Sequence, residues 1–340
     1  MKGKNVIIVD NVNNISGAPT IARDIAMALA APIYCIREEL QRSYVAKASG
    51  VRSQSVFGYF IGTLLLATNI RFIAALLRAE IVVCNTSLTF LFAVLSRCLG
   101  KQVICVLHES SAKNALYLCS IPISIAFAEV VVTPSQKAYD SLKIPIWKWV
   151  IVPNSISASY KDTAIQRVGS NSVALYILFV DDGRYCKGGT LFEEIVKLAA
   201  TRELTNLIFH STKSEKLKQY ALGKTRLGPE IYSQYHFVLV LTDNNSWRET
   251  FGLVGCEAAA CECVPLFTDQ FAYREVWHEF DDKLFLKDRE PSAILATILS
   301  LGSARESLSV LRANVRRRAL EISSTENFVA RWHDLIVKSS

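Results

Sequence analysis

The sequence lacks any pair of cysteines at the CxxC spacing of a redox or zinc motif, although it holds nine cysteines. The closest two are Cys261 and Cys263. An odd number without paired spacing excludes a disulfide framework and points to a reducing compartment, hence the cytosol. Cys84 and Cys105 sit inside β-branched runs, where a thiol acts as a small buried hydrophobe. The apolar run in MKGKNVIIVDN is far too short for the core of a secretory leader and reads as a first β-strand. Charge is sparse: 20% of residues are charged and 51% are apolar, which excludes disordered and fibrous classes. No internal repeat is visible. An uninterrupted spanning segment is lacking too, since one needs about 20 apolar residues. The nearest approach is Val56–Leu77, diluted by Gly58, Gly62, Thr63, Thr68, Asn69 and Arg71. A buried or membrane-skimming pair of helices suits that stretch better.

What is present begins with length. A chain of 340 residues is natural for two domains and apolar enough for two cores. Its charge is unevenly placed. The net charge is +7, and residues 1–155 hold 15 Lys and Arg against 8 Asp and Glu, whereas the remainder has 23 of each sign. Such a half suits an anionic lipid surface, nucleic acid or a phosphate-bearing substrate, or is a solvated surface with chance asymmetry. The basic-aromatic interleaving of nucleic-acid modules is missing, so no nucleic-acid partner is expected.

Short β-rich runs alternate with longer helical ones, the pattern of parallel sheets with crossover helices. The strand candidates of the first half are Asn5–Val9, Glu80–Cys84, Gln102–Leu107, Glu129–Thr133 and Trp149–Val152. They are continuous apolar runs, as expected where both faces are covered. Gly17, Ala18 and Pro19 open a helix with Ile21, Ile25, Ala28 and Leu29 on one face. The segment Val152–Ile156, followed by the polar stretch Ser157–Asn171, breaks the rhythm and marks a domain boundary. A second alternation follows: strands at Val173–Val180, Leu207–Phe209, Phe237–Leu241 and Val264–Phe267, with helices near Leu191–Ala200 and Gly255–Cys261. This predicts an α/β chain of two Rossmann-like domains, 1–155 and 156–322. The segment 323–340 reads as a final helix with Phe328, Val329, Trp332 and Ile336 on one face.

Chemistry concentrates in RETFGLVGCEAAACECVPL, Arg248 to Leu266. Glu249 and Glu257 stand eight positions apart. Between them Gly252 lets backbone N–H groups come close to an anion or a sugar, and a helix starting there points its positive end the same way. A carboxylate within that helix can accept two hydrogen bonds from a ribose diol. Read without further context, the same residues also describe an ordinary loop and an amphipathic helix with surface glutamates.

The segment resembles the E-x7-E motif of retaining nucleotide-sugar glycosyltransferases of the GT-B fold, family 4 above all. In that family the second domain opens with a strand, a Gly-Arg and soon a Lys-Gly. Here FVDDGRYCKGG supplies Gly183, Arg184, Lys187 and Gly188, about sixty residues before E-x7-E. The resemblance covers nearly the whole chain, but only these C-terminal motifs are specific. It implies two parallel-sheet domains facing a central cleft and a hexosyltransferase with a UDP- or GDP-linked donor. Arg184 and Lys187 would stabilise the leaving diphosphate, helped by N–H groups near Phe251, Gly252 and Leu253. Glu249 would bind the donor sugar or stabilise the cation, and Glu257 the ribose. Two weaker matches lie in the first domain. Gly17, in NNISGAPT, stands where the family has a glycine loop for donor phosphate or acceptor, or is a plain helix start. His108, in VICVLHES, stands after a central strand, where the family often has a histidine at the donor sugar or the acceptor. In such enzymes the last helix crosses back to the first domain; a core helix of the second domain fits 323–340 as well.

No cofactor and no metal are expected, because protein cations take the metal's place. The spaced Asp-x-Asp of the other major transferase fold is missing, since Asp181 and Asp182 are adjacent. Departures from the family are Glu262 and Cys263, where a small residue and glycine are usual, and DQFAYREVW, which keeps Glu275 but not the glycines. They bear on the sugar pocket more than on the diphosphate. The implied role is transfer to a glycan or polyprenyl-linked acceptor in bacterial O-antigen, capsule, lipopolysaccharide or other envelope polysaccharide biosynthesis. The implied place is the cytoplasm, peripheral on the inner face of the membrane. Rival readings are a GT-B-shaped nucleotide-sugar epimerase, a phosphorylase (for which no pyridoxal lysine motif is seen) and a non-catalytic membrane-associated partner that kept the fold.

Overall fold

Val6–Asp10 (VIIVD) forms a strand, β1, in which every residue is buried. Such a run has no polar face to give to water and sits in the middle of a covered parallel sheet. The computed structural model describes residues 4–11, 17–42, 56–109, 115–143, 145, 147–162, 174–181, 184–212, 222, 227–243 and 248–338. The chain divides into two units: Met1–Asn154 with Glu326–Ser340, and Ser155–Thr325.

The first unit is built on six parallel strands. After β1 come β2 (Ile33–Cys35), β3 (Ile81–Asn85), β4 (Gln102–Val106), β5 (Val130–Thr133) and β6 (Trp149–Ile151), in the order β2-β1-β3-β4-β5-β6. Asp10 of β1 pairs in register with Asn85 of β3, and Asn85 with Val106 of β4. Two polar side chains thus end adjacent strands at the point where strand order reverses, the place where open α/β sheets form a crevice. The helix Gly17–Leu29 buries Ile21, Ala22 and Ile25 against this sheet side of the unit.

Val56–Leu77 resolves into two helices, Val56–Thr68 and Ile70–Arg78, bent by 68°. Asn69 makes the break. Its Oδ1 accepts from the N–H groups of Arg71 at 2.9 Å and Phe72 at 3.2 Å, which caps the second helix and satisfies donors the first helix cannot serve. Tyr59, Leu66, Phe72 and Leu76 are buried, while Phe60, Leu64, Ile70, Ile73 and Leu77 are exposed. Among the described residues no single helix is long and apolar enough to cross a membrane.

The second unit has five parallel strands: β7 (Leu175–Phe179), β8 (Leu207–Ser211), β9 (Phe237–Val240), β10 (Val264–Thr268) and β11 (Phe285–Leu286), in the order β11-β10-β9-β7-β8. Its core is dominated by fully buried Phe179, Phe192, Phe237 and Phe267, each worth about 1.5–3 kcal/mol of burial. Order reverses between β7 and β9, again a switch point. The unit's two ends meet: Thr325 Oγ1 donates to the carbonyl of Ile156 at 2.9 Å. The last helix, Thr325–Lys338, buries Phe328, Trp332, Leu335 and Ile336, and from Glu326 onward groups with the first unit. There Arg331 Nη1 donates to the carbonyl of Ile151, the last residue of β6, at 3.1 Å.

Candidate active site

In the second unit the chain leaves β7 and makes a 3-10 turn at Tyr185–Lys187 before the helix Gly189–Thr201. The turn is pressed onto the end of β9. Gly188 adopts φ +87°, and a Cβ there would lie 2.4 Å from the carbonyl oxygen of Leu241. The Asp243 N–H donates to the Cys186 carbonyl at 2.8 Å. This contact delivers Lys187 to Glu249: Nζ and Oε1 form an ion pair, with the two side chains only 17% and 15% exposed.

Glu249 is held from behind. Thr242 Oγ1 lies 3.4 Å from the same Oε1, and the backbone N–H of Glu249 donates to Gln270 Oε1 at 2.8 Å. Gln270 Nε2 donates in turn to the Thr242 carbonyl at 3.2 Å, which also receives Thr268 Oγ1 at 2.7 Å and Arg289 Nη1 at 3.0 Å. One carbonyl at the end of β9 thus gathers three donors, and this knot sets the loop that carries Glu249.

Beyond the loop, Phe251 is buried and Gly252 takes φ +88° just before the helix Leu253–Ala260. A Cβ on Gly252 would come within 2.3 Å of the Tyr273 ring, so glycine is required twice over, by backbone and by space. The first-turn N–H groups of this helix carry its positive end. Glu257 lies one turn in, half-buried, and the Tyr232 hydroxyl donates to its Oε2 at 3.2 Å. Burial, first, and the Glu257 charge push that phenol well above its ordinary pKa.

The first unit has its own polar cluster at the β1/β3 switch point. Asn85 Nδ2 donates to Asp10 Oδ1 at 3.2 Å and to the Ala18 carbonyl at 3.1 Å. Asn85 Oδ1 lies 2.9 Å from His108 Nε2. The Glu109 carboxylate accepts from the N–H groups of Ser87 and His108, each at 3.1 Å. Burial pushes His108 down from 6.5 to about 4 and pushes Glu109 up from 4.5 to about 7. Among the described residues no group of three His, Cys, Asp or Glu side chains could hold a metal ion.

No protein-family model matches the sequence, and no curated protein matches it. Solved structures do. HepE of Anabaena, in complex with UDP and glucose, aligns over 98% of this chain and 99% of its own, with TM-score 0.74 and 13% identity. Sucrose-phosphate synthase of Thermosynechococcus elongatus aligns over 98% and 99%, with TM-score 0.75 and 13% identity. A glycosyltransferase of Rickettsia africae aligns over 99% and 98%, with TM-score 0.67 and 12% identity. The chain has the GT-B fold. At such identities the likeness is one of fold.

Within this GT-B chain the residues singled out from the sequence fall into two groups. Lys187, Glu249, Phe251, Gly252, Leu253 and Glu257 gather around the end of β9 in the second unit, and Arg184 is exposed beside them, at the start of the turn. Asp182 and Gly183 lie outside the described residues. His108 belongs to the first unit, and Gly17 begins the helix whose next residue, Ala18, meets Asn85. Residues 12–16, the rest of the glycine loop, lie outside the described residues. Gln270, Thr268, Tyr232, Asn85 and Asp10 belong to no motif that marks them in the sequence. Gln270 stands in the very segment read as a departure from the family, and its side chain does the loop-holding there. The only signal for Asp10 and Asn85 is that each directly follows an apolar run, Asn5–Val9 and Glu80–Cys84.

Proposed function

We propose that the chain is a retaining, metal-independent glycosyltransferase that takes a sugar from a UDP-linked donor. The observation that carries this reading is the Lys187–Glu249 ion pair at the end of β9, beside the glycine-started helix Leu253–Ala260. It places a fixed cation, a carboxylate and a helix N-terminus at the switch point of a GT-B unit. The complexes of HepE with UDP and with UDP-glucose support a uridine donor.

As the bond from the anomeric carbon to the β-phosphate oxygen breaks, positive charge grows on the sugar and negative charge on the phosphate. Lys187, Arg184 and the N–H groups following Gly252 meet the second charge, preorganised and partly out of water. Glu249 keeps Lys187 in place and offers its other oxygen to sugar hydroxyls. Glu257, oriented by Tyr232, takes the ribose diol. Retention of configuration rests on the resemblance of the Glu249–Glu257 segment to the E-x7-E motif of retaining enzymes.

For the acceptor we propose a glycan on a polyprenyl-type lipid, within envelope polysaccharide assembly on the cytoplasmic face of the membrane. The exposed row Phe60, Leu64, Ile70, Ile73 and Leu77, with exposed Arg71 and Arg78 among them, supports it, as does the +7 charge of residues 1–155. The deciding experiment is a thermal-shift and calorimetric screen of nucleoside diphosphates and nucleotide sugars, followed by transfer assays with and without EDTA. UDP and UDP-sugars should raise the melting temperature, and transfer should survive chelation. Indifference to every nucleotide would overturn the donor site; loss of transfer in EDTA, restored by Mg²⁺, would overturn metal independence.

A further inference from the structure

Asn85 is wholly buried at the end of β3. Its amide nitrogen has two protons, and both are used, on Asp10 Oδ1 at 3.2 Å and the Ala18 carbonyl at 3.1 Å. Asp10 is itself fixed, since its Oδ1 accepts the Asn11 N–H at 2.7 Å. The opposite amide orientation would set Oδ1 against a carboxylate and a carbonyl, acceptor against acceptor. Chemistry therefore selects the orientation, and it leaves Oδ1 facing His108 Nε2 at 2.9 Å. An amide oxygen only accepts, so the proton of that bond is on Nε2.

Burial keeps the ring neutral, with its pKa lowered to about 4. A neutral imidazole has one N–H. With that proton on Nε2, Nδ1 is a bare acceptor. His108 is half-buried, just past the end of β4 and beside the strand-order reversal at which ligands bind in such sheets.

We propose that Asn85, held by Asp10 and Ala18, is a positioning residue that fixes His108 as the Nε2–H tautomer, so that Nδ1 accepts a hydrogen bond from a hydroxyl of the sugar substrate. Only the identity of that hydroxyl rests on the glycosyl-transfer reading; the tautomer does not. One consequence is that His108 gives no proton to the departing group from Nδ1. Its part is to orient a hydroxyl. A second is that Asn85 acts on the reaction without touching substrate.

The test is long-range ¹H–¹⁵N spectroscopy of the imidazoles at neutral pH, with His108 assigned among the five histidines by the signal lost in His108→Gln. The wild-type protein should show the Nε2–H tautomer at this residue. Asn85→Ala should give a mixture of tautomers and lower kcat/KM for the donor about tenfold, the effect of one hydrogen bond. Asn85→Asp keeps an acceptor for Nε2 but favours the imidazolium, which puts a proton on Nδ1; kcat/KM should fall there as well. If Asn85 were merely structural, the aspartate would rescue the alanine. An Nδ1–H tautomer or an imidazolium in the wild type would overturn the proposal, as would full activity in Asn85→Asp with a spectrum showing the imidazolium. The wild-type spectrum decides the matter even where Asn85→Ala does not fold. It also needs no sugar transfer, so a failed donor reading and a wrong tautomer give different results.

Discussion

Lys187 and Glu249, 62 residues apart in the chain, form an ion pair that joins the turn after β7 to the loop after β9. Each is mostly shielded from water, so removing one leaves the other charged and poorly solvated. Lys187→Ala should lower turnover at least tenfold, and the melting temperature should drop as well. In a double-mutant cycle with Glu249→Gln the two effects should be strongly non-additive. Normal turnover in Lys187→Ala would remove this residue from the diphosphate site.

Glu257 gives a more selective readout. Glu257→Gln should weaken nucleoside diphosphate binding in calorimetry and should blur the distinction between ribo- and 2′-deoxyribo-nucleotides. Tyr232→Phe, which removes the hydroxyl donated to Glu257 at 3.2 Å, should do the same to a smaller degree, on the order of 1 kcal/mol. Unchanged discrimination in both variants would leave Glu257 with a role in its helix only.

Two positions flanking the same helix should respond with opposite signs. Gly252→Ala meets both φ +88° and the Tyr273 ring at 2.3 Å, and should lose donor binding and stability together. Glu262 also has positive φ, at 59°. It closes the helix in a Schellman motif: the Glu262 N–H bonds to the Ala259 carbonyl at 2.9 Å and the Cys263 N–H to the Ala258 carbonyl at 3.0 Å. The left-handed conformation is unfavourable for a residue with a Cβ, so Glu262→Gly should stabilise the protein by about 1 kcal/mol, read from denaturant midpoints.

Stability should show a composite pH response, with groups from both units contributing. His108 and His236 are both lowered by burial from 6.5 to about 4. Their contribution to stability is full above pH 6.5 and is lost as pH falls through 4. Glu109 is raised from 4.5 to about 7, so its contribution is full below pH 4.5 and is lost as pH rises through 7. The two gradients oppose each other in between. Glu109→Gln removes the second one. The melting temperature of Glu109→Gln minus that of the wild type should therefore climb from pH 4.5 to 7 and then level off. A difference that does not change with pH would refute the raised carboxyl.

Sedimentation with liposomes tests the membrane reading. The exposed Phe60, Leu64, Ile70, Ile73 and Leu77 should bind anionic vesicles, with electrostatics giving about 1 kcal/mol for each basic residue at the surface. Salt should release the protein, since screening acts over about 8 Å at physiological ionic strength. Leu64→Glu with Leu77→Glu should abolish binding. Binding that is absent, or insensitive to lipid charge and salt, would make a soluble acceptor the better reading.

The continuous apolar runs determined, from sequence alone, which segments become parallel strands, because burial on both faces leaves a mark in every residue of a strand; Trp149–Ile151 departs from this, an apolar edge strand in which no residue is buried. Strands too short to leave such a mark escaped it: β2 is three residues, of which only Cys35 is buried, and β11 is two. Asn69 was legible as a diluting polar residue in Val56–Leu77, and the structure gives the physical reason for it, a cap at a 68° bend. Lys187, Glu249 and Glu257 could be singled out from the order of residue types along the chain. That Lys187 meets Glu249, that Gln270 holds the Glu249 backbone, and that Asn85 joins Asp10, 75 residues away, to His108 was decided by tertiary structure alone. Periodicity records what each residue needs from its surroundings, buried or wet. Which polar groups then face one another depends on strand order and register, and those are settled only when the sheet assembles.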